Sequence, residues 1–287
     1  MGRELAAANQ LCTLLQNLPL ALNIAAQRLA LRHQMHLRDM VARLQREKSR
    51  LSALDEQEQA VRVSFLVSWR ALDDRQKRSF ALLGLFAGRS FTVDALIAIA
   101  DRDPYETEDQ LFALNALCLV TPTADGRYRQ HALLAEFARE HLTDEEADRR
   151  LVEFYLVLAQ ANGRDYDALR PEWENLMAGM EAAYKREMWA EVLGYSEALT
   201  EAWFARGRYT EARQGYEWAV AAAAAVVDEK LKAKNLFRWA QACLEQSDNQ
   251  QAEQLVDQSL ELFRQQNDLA GQASNPKIKP AVREHSD

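Results

Sequence analysis

The sequence predicts an all-α protein: a short helical segment, then a winged helix-turn-helix with a small β-hairpin wing, then a helical-repeat α-solenoid. Three observations carry that prediction. Only 10 of the 287 residues are glycine and 6 are proline, about half the combined share of average usage. That is too few for the many tight connections of a sandwich, a barrel or a multi-crossover α/β enzyme. Apolar residues recur at helical spacing along most of the chain, and one stretch near the C-terminal end repeats at an interval of 40 residues. Hydrophobic residues make up 48% and charged residues 27% of the chain, enough to fill a core and clothe it.

Residues 1–58 read as a helical segment and connector. Helical spacing runs through 3–32 and is interrupted at Asn17-Leu18-Pro19, where Pro19 suits the first turn of a new helix because its missing N–H costs nothing there. Leu22, Ala25, Ala26 and Leu29 would form the apolar stripe of that helix. Leu37, Met40, Val41 and Leu44 mark a shorter amphipathic helix before a polar connector.

Residues 59–145 read as the winged-helix domain. Val61 to Leu72 is helical, and Asp73 with Gln76 caps the next helix. Thr92 opens another, and Thr107 with Gln110 has capping-box spacing before a further one. Asp125-Gly126 between two short β-prone runs signals a hairpin. A last helix places Leu133, Leu134, Phe137, Ala138 and Leu142 on one face.

Residues 146–270 contain only helices, introduced by a capping-box pair at Thr143 and Glu146. Segments are expected at about 146–162, 172–186, 188–206, 209–225, 229–246 and 249–266. At the 40-residue shift, Ala202, Ala212 and Ala219 fall on Ala242, Ala252 and Ser259, and Tyr216 falls on Val256. Small residues where helices approach, with bulky ones between, are what stacked helix pairs require. The spacing of Gly207, Tyr209, Ala212, Tyr216 and Ala219 resembles the second half of a tetratricopeptide repeat, so the solenoid is expected to be tetratricopeptide-like. Residues 271–287, with two prolines and no apolar stripe, are expected to lack fixed structure. The absence of a polar capping helix suggests a longer array.

Composition excludes several functions. No G-x-G-x-x-G occurs, and the Gly84–Gly88 pair, followed by Arg89-Ser90, lacks the spacing and lysine of a phosphate loop. Cys12, Cys118 and Cys243 are too scattered for a zinc ribbon or a disulfide scaffold and read as buried free thiols of a cytoplasmic protein. The N-terminal residues lack a signal-peptide core, and no apolar run is long enough for a membrane span. Residues 1–59 carry 8 basic and 6 acidic side chains, residues 60–142 carry 10 and 11, and residues 143–287 carry 17 and 26. No segment concentrates the positive charge that nucleic-acid binding draws on, although Arg75, Lys77 and Arg78 cluster on one helix. His33 and His36 lack a third metal ligand at helical spacing, and the acidic cluster from Asp101 to Asp109 lacks the EF-hand pattern, so a surface pair and a solvated loop are expected. No nucleophile elbow or other catalytic motif is present.

Three segments, in this order, resemble the regulatory half of a STAND-type signal-transduction ATPase, the class that includes NB-ARC proteins. Asn17-Leu18-Pro19-Leu20-Ala21-Leu22 is similar to that family's Gly-Leu-Pro-Leu-Ala-Leu motif, with Asn17 for the glycine. Val61 to Phe65 and Ser68 to Leu72 resemble the start of its winged-helix domain. Arg127 to Leu134 resembles the end of the wing and the Met-His-Asp motif, with Gln130 for Met and Ala132 for Asp. The resemblance implies a non-catalytic regulatory and sensor part, without cofactor of its own, whose partner is an NTPase domain that binds ADP or ATP. It implies that Pro19 lies near the adenine and that His131 reaches the β-phosphate of ADP; helix start and local cap are the rival roles. It also implies a protein or small-molecule ligand on the solenoid. Among the solenoid aromatics Trp173, Trp189, Trp203, Trp218 and Trp239, most suit the core between helix layers, while Trp203, Tyr209 and Trp239 are candidate partner-binding residues. Two alternatives stand beside this: a winged-helix DNA-binding transcriptional regulator, and a stand-alone tetratricopeptide scaffold.

Overall fold

The computed structural model describes residues 2–31, 35–48, 56–266 and 268. It is all-helical apart from one small sheet. The chain divides between Asp148 and Arg149 into two compact units.

The first unit opens with four helices, α1 (Gly2–Leu14), α2 (Pro19–Leu31), α3 (Leu37–Lys48) and α4 (Glu56–Trp69). Their shared core holds Leu11, Leu15, Ala25, Met40, Leu44 and Val63. The buried face of α2 is Ala21, Ile24, Ala25 and Arg28, rotated from the expected stripe: Ala26 is exposed and Leu22 and Leu29 are half-buried. An alanine-rich helix carries too weak a contrast between its faces for periodicity to orient it.

Helices α5 (Asp74–Leu83), α6 (Val93–Ala100), α7 (Pro104–Ala116) and α8 (Ala132–Glu140) follow. Asp73 and Gln76 form the expected reciprocal capping box on α5, and Thr92 accepts from the Ala95 N–H to start α6. The cap of α7, however, is Asp103, which accepts from the Glu106 N–H, while Thr107 lies inside the helix with its hydroxyl on the Asp103 carbonyl. Pro104 at the first helical position explains the earlier start. Before α9, Asp144 rather than Thr143 accepts from the Glu146 N–H. Phe65 of α4 stacks on Phe80 of α5 at 4.7 Å and meets Phe137 of α8 edge-on at 4.4 Å, which ties the three helices together. Gly84 lets α8 approach: a Cβ there would stand 2.5 Å from the Arg139 backbone nitrogen.

The hairpin forms where Asp125-Gly126 places it, between β2 (Thr121–Pro122) and β3 (Tyr128–Arg129), with Gly126 at φ 77°. A third strand, β1 (Ser90–Phe91), adds to its other side, giving an antiparallel sheet in the order β1-β3-β2. Pro122 sits on the edge strand, where a missing donor is tolerated. Two contacts hold β1 in place: Arg127, itself buried, donates to the Ser90 hydroxyl and carbonyl at 3.1 and 2.9 Å, and Phe91 stacks on Phe86 at 4.2 Å.

The second unit contains α9 (Ala147–Ala161), the short α10 (Tyr166–Leu169) and α11 (Trp173–Lys185). It continues with α12 (Trp189–Ala205), α13 (Tyr209–Ala225), α14 (Glu229–Glu245) and α15 (Asn249–Gln265), each of 17 residues. These last four begin at intervals of 20. Their N-terminal loops place Glu187, Gly207, Val227 and Ser247, again 20 apart, in the left-handed region at φ 57–64°. At each loop the next N–H reaches back to a carbonyl five residues earlier, Met188 to Ala183, Arg208 to Trp203, Asp228 to Ala223 and Asp248 to Cys243, at 2.8–2.9 Å. This is Schellman-type termination, which wants a left-handed residue.

Burial follows the same interval. Val192, Tyr195, Ser196, Leu199, Ala202 and Trp203 of α12 are buried, and so is each residue 20 further on in α13, Ala212, Gly215, Tyr216, Ala219, Ala222 and Ala223. The pairs read at the 40-residue shift, Ala202 with Ala242, Ala212 with Ala252, Ala219 with Ser259 and Tyr216 with Val256, are all fully buried. Polar ties lock the stack: Ser196 hydrogen-bonds Asn235 at 2.7 Å, and the Ser259 hydroxyl donates to the Ala233 carbonyl at 2.8 Å. The tail expected to lack fixed structure lies outside the described residues.

Candidate functional site

Pro19 is the first residue of α2 and is exposed. The turn before it needs two left-handed residues, Gln16 at φ 53° and Asn17 at φ 55°. Asparagine tolerates that region better than other side chains except glycine. Asn17 therefore suits the backbone that the turn requires.

His131 caps α8. Its backbone is extended (φ −63°, ψ 140°), and Nδ1 accepts from the Leu133 N–H at 3.3 Å. With Nδ1 occupied as acceptor, the neutral ring carries its proton on Nε2, so an exposed donor stands at the positive end of a helix. A phosphate oxygen is the complementary partner. The local-cap role and the anion role are thus compatible, one on each ring nitrogen. Beside it Gln130 is 1% exposed, and neither amide atom has a hydrogen-bond partner among the described residues.

Helix α7 comes third after α5 and α6 and immediately before the hairpin, the position from which a winged helix would read DNA. It carries Glu106, Glu108 and Asp109 and no lysine or arginine, and exposes Tyr105 (79%) and Phe112 (73%) two turns apart. Most of the acidic cluster read as a loop is therefore helical: Asp101 ends α6 in the left-handed region, Asp103 caps α7, and the rest lie on it.

In the second unit, Trp203 is fully buried, its ring edge-on to Tyr216 at 5.3 Å. It is a core residue and offers nothing to a partner, which corrects its candidacy; its place in the repeating buried register is the reason. Tyr209, first in α13, is half-buried against Phe204, and partial burial with a hydrogen bond to Glu245 raises its phenol above the ordinary range. Trp239 is half-buried against the Leu236–Cys243–Leu255 cluster, with its indole N–H unpartnered among the described residues. Glu197 receives hydrogen bonds from Arg238 at 2.7 Å and Lys234 at 2.8 Å, which hold its carboxyl down at about 2. Of the three thiols only Cys243 is buried, and burial pushes it up to about 11; Cys12 and Cys118 are half-buried. His36 is exposed, while His33 lies outside the described residues. Among the described residues no group of three or more His, Cys, Asp and Glu side chains is gathered to hold a metal, and no helix is long and apolar enough to cross a membrane.

No family model matches the chain. It is 36% identical over 167 residues to the regulatory protein AfsR of Streptomyces griseus, covering 55% of this chain and 17% of that protein. It is 37% identical over 153 residues to the regulatory protein AfsR of Streptomyces coelicolor, covering 50% and 15%. The chain thus spans about a sixth of the length of the curated relatives it matches. A Signal Transduction ATPase with Numerous Domains from Pyrococcus horikoshii, carrying a tetratricopeptide repeat sensor, aligns over 85% of this chain and 44% of that one. Its sequence identity is 15% and its TM-score 0.37.

Proposed function

We propose that the chain is the non-catalytic regulatory and sensor part of a STAND-type ATPase. Residues 59–145 form the winged-helix arm that couples nucleotide state to the tetratricopeptide-like solenoid, which binds a protein or small molecule in the cytoplasm. The observation that carries the reading is His131: exposed, at a helix start, with Nδ1 engaged internally and Nε2 left to donate outward. Exposed Pro19 at the start of α2 accompanies it. Similarity to two AfsR regulatory proteins supports the regulatory role. Coupling of this kind needs two docked arrangements of the arm, biased differently by nucleotide and by ligand. The acidic, lysine- and arginine-free α7 works against the DNA-binding alternative, because the phosphate backbone would be repelled rather than neutralised.

The test is association with the P-loop domain of the same regulator. By calorimetry, the ADP-loaded domain should bind this chain, and His131→Ala should weaken binding about tenfold, the order expected for one hydrogen bond to a charged group. ADP without that domain should leave the melting temperature of the chain unchanged. Binding that ignores both nucleotide and His131 would overturn the reading.

A further inference from the structure

A cleft of about 300 Å³ opens in the first unit between the end of α4, the exposed side of α5, the α6–α7 loop and the residues after α8. Trp69, Ala81, Leu82 and Leu142 give it apolar walls, Lys77, Arg78 and Arg102 line it as donors, and His141 lies among them. Neither Pro19 nor His131 lines it.

Its charges are unbalanced in a protein of net charge −8. Of the two lining carboxylates, Asp74 lies 3.8 Å from Lys77 and Asp144 accepts from the Glu146 N–H. Arg78 and Arg102 have no carboxylate partner among the described residues, although acidic side chains outnumber basic ones in the chain. The aromatic side of the cleft is rigid. His141 stacks on Phe137 at 4.1 Å and stands edge-on to Trp69 at 4.9 Å, while Lys77 sits over the Trp69 ring at 5.9 Å. The His141 ring is further fixed by Nδ1 donating to the Phe137 carbonyl at 2.8 Å, which leaves Nε2 as the second polar atom of the ring. Two guanidinium groups and an ammonium around one opening form a donor set for a tetrahedral oxyanion. The volume exceeds what a bare oxyanion fills and is at the lower end for small-molecule sites.

We infer that this cleft binds a small phosphate monoester, its phosphate held by Arg78 and Arg102 and its organic part against Trp69 and Leu142. The inference is independent of the proposed nucleotide-coupled role, and its test needs no P-loop domain. The full chain is titrated with glycerol 3-phosphate by calorimetry and by amide chemical-shift mapping, with inorganic phosphate and acetate at matched ionic strength as comparisons. Saturable one-to-one binding of glycerol 3-phosphate is expected, with shifts confined to residues around 69, 77–82, 102 and 141–144. Acetate should bind at least about tenfold more weakly, since it offers one anionic fork to two guanidiniums. Arg78→Gln and Arg102→Gln should each lower affinity about tenfold, the order expected for removing a hydrogen bond between charged groups. Both are single changes at side chains without a carboxylate partner, and unchanged melting temperatures would show that the fold is retained. Shifts spread over other basic surfaces, equal response to acetate, or undiminished binding by both variants would overturn it.

Discussion

The indole of Trp203 lies against the backbone of Gly215 so closely that a Cβ at position 215 would stand 2.4 Å from the ring carbon Cη2. The ring is fully buried and cannot swing away. Small size at 215 is therefore what allows a tryptophan at 203, and the two residues define the spacing of α12 and α13.

From this contact, Gly215→Ala is expected to destabilise the second unit by about 1–3 kcal/mol through overpacking. Trp203→Phe in the same chain should recover part of that loss, so the two changes will not be additive. Denaturant unfolding of the two single variants and the double variant measures the coupling. Additive losses would mean that the ring and the glycine do not confront each other.

Val227 occupies the left-handed position of its loop at φ 57°, with 80% of its surface exposed. A β-branched side chain is strained there, and its exposure means that little packing offsets the cost. Val227→Gly is expected to raise stability by about 0.5–1 kcal/mol, the size typical of relieving such strain net of glycine's extra unfolded-state entropy. Gly207, 20 residues earlier in the same backbone geometry, is the internal precedent. A lower melting temperature for the variant would refute the expectation.

Gln130 is buried with both amide atoms unpartnered among the described residues. Methionine has similar length and no hydrogen-bonding demand. Gln130→Met should therefore stabilise the first unit by about 1 kcal/mol, the order of an uncompensated buried polar group. Thermal melts of the two proteins side by side decide the matter, and a destabilised variant would show that the amide is satisfied.

Glu197 titrates at about 2, against an ordinary value of 4.5, because Arg238 and then Lys234 hydrogen-bond the charged carboxylate. A depressed folded-state value contributes stability above about pH 4.5, and that contribution is lost as the pH falls toward 2. The carboxylate is 59% exposed, so solvent screening limits the effect to about 1 kcal/mol or less. Glu197→Gln should melt below the parent at pH 6, and the difference should shrink steadily as the pH falls toward 2. A gap undiminished between pH 6 and pH 2 would show that the glutamine costs stability for some other reason.

The solenoid was the most legible part of the sequence. Its helices lie within a residue or two of the segments read from periodicity, because 17-residue helices with a repeated buried register leave a strong pattern. The two-residue strand β1 left none. It is held by Arg127 and Phe86, neither adjacent to it in sequence, and such contacts cannot be read from local spacing. Helix caps were read correctly at Asp73 and Thr92 and misplaced at Thr107, where an Asp-Pro pair four residues earlier had already begun the helix. Pro19 and His131 both stand at helix starts, a placement that their local sequence gives. The cleft residues Trp69, Arg78, Arg102 and His141 come from four separate stretches and meet only on folding. Trp203 was misread because an aromatic at helical spacing has no sequence mark that tells an inward from an outward face.

The left-handed residues at 187, 207, 227 and 247 mark off successive helices of equal length that run in alternating directions. Removing 20 residues between two such marks would keep most buried positions in phase but reverse the heading of all that follows. Removing or duplicating 40 would keep the heading as well. Gene rearrangements can thus alter the reach of this solenoid only in whole hairpins, and a single-residue deletion within a helix would turn the rest of that helix by about 100° and expose its core.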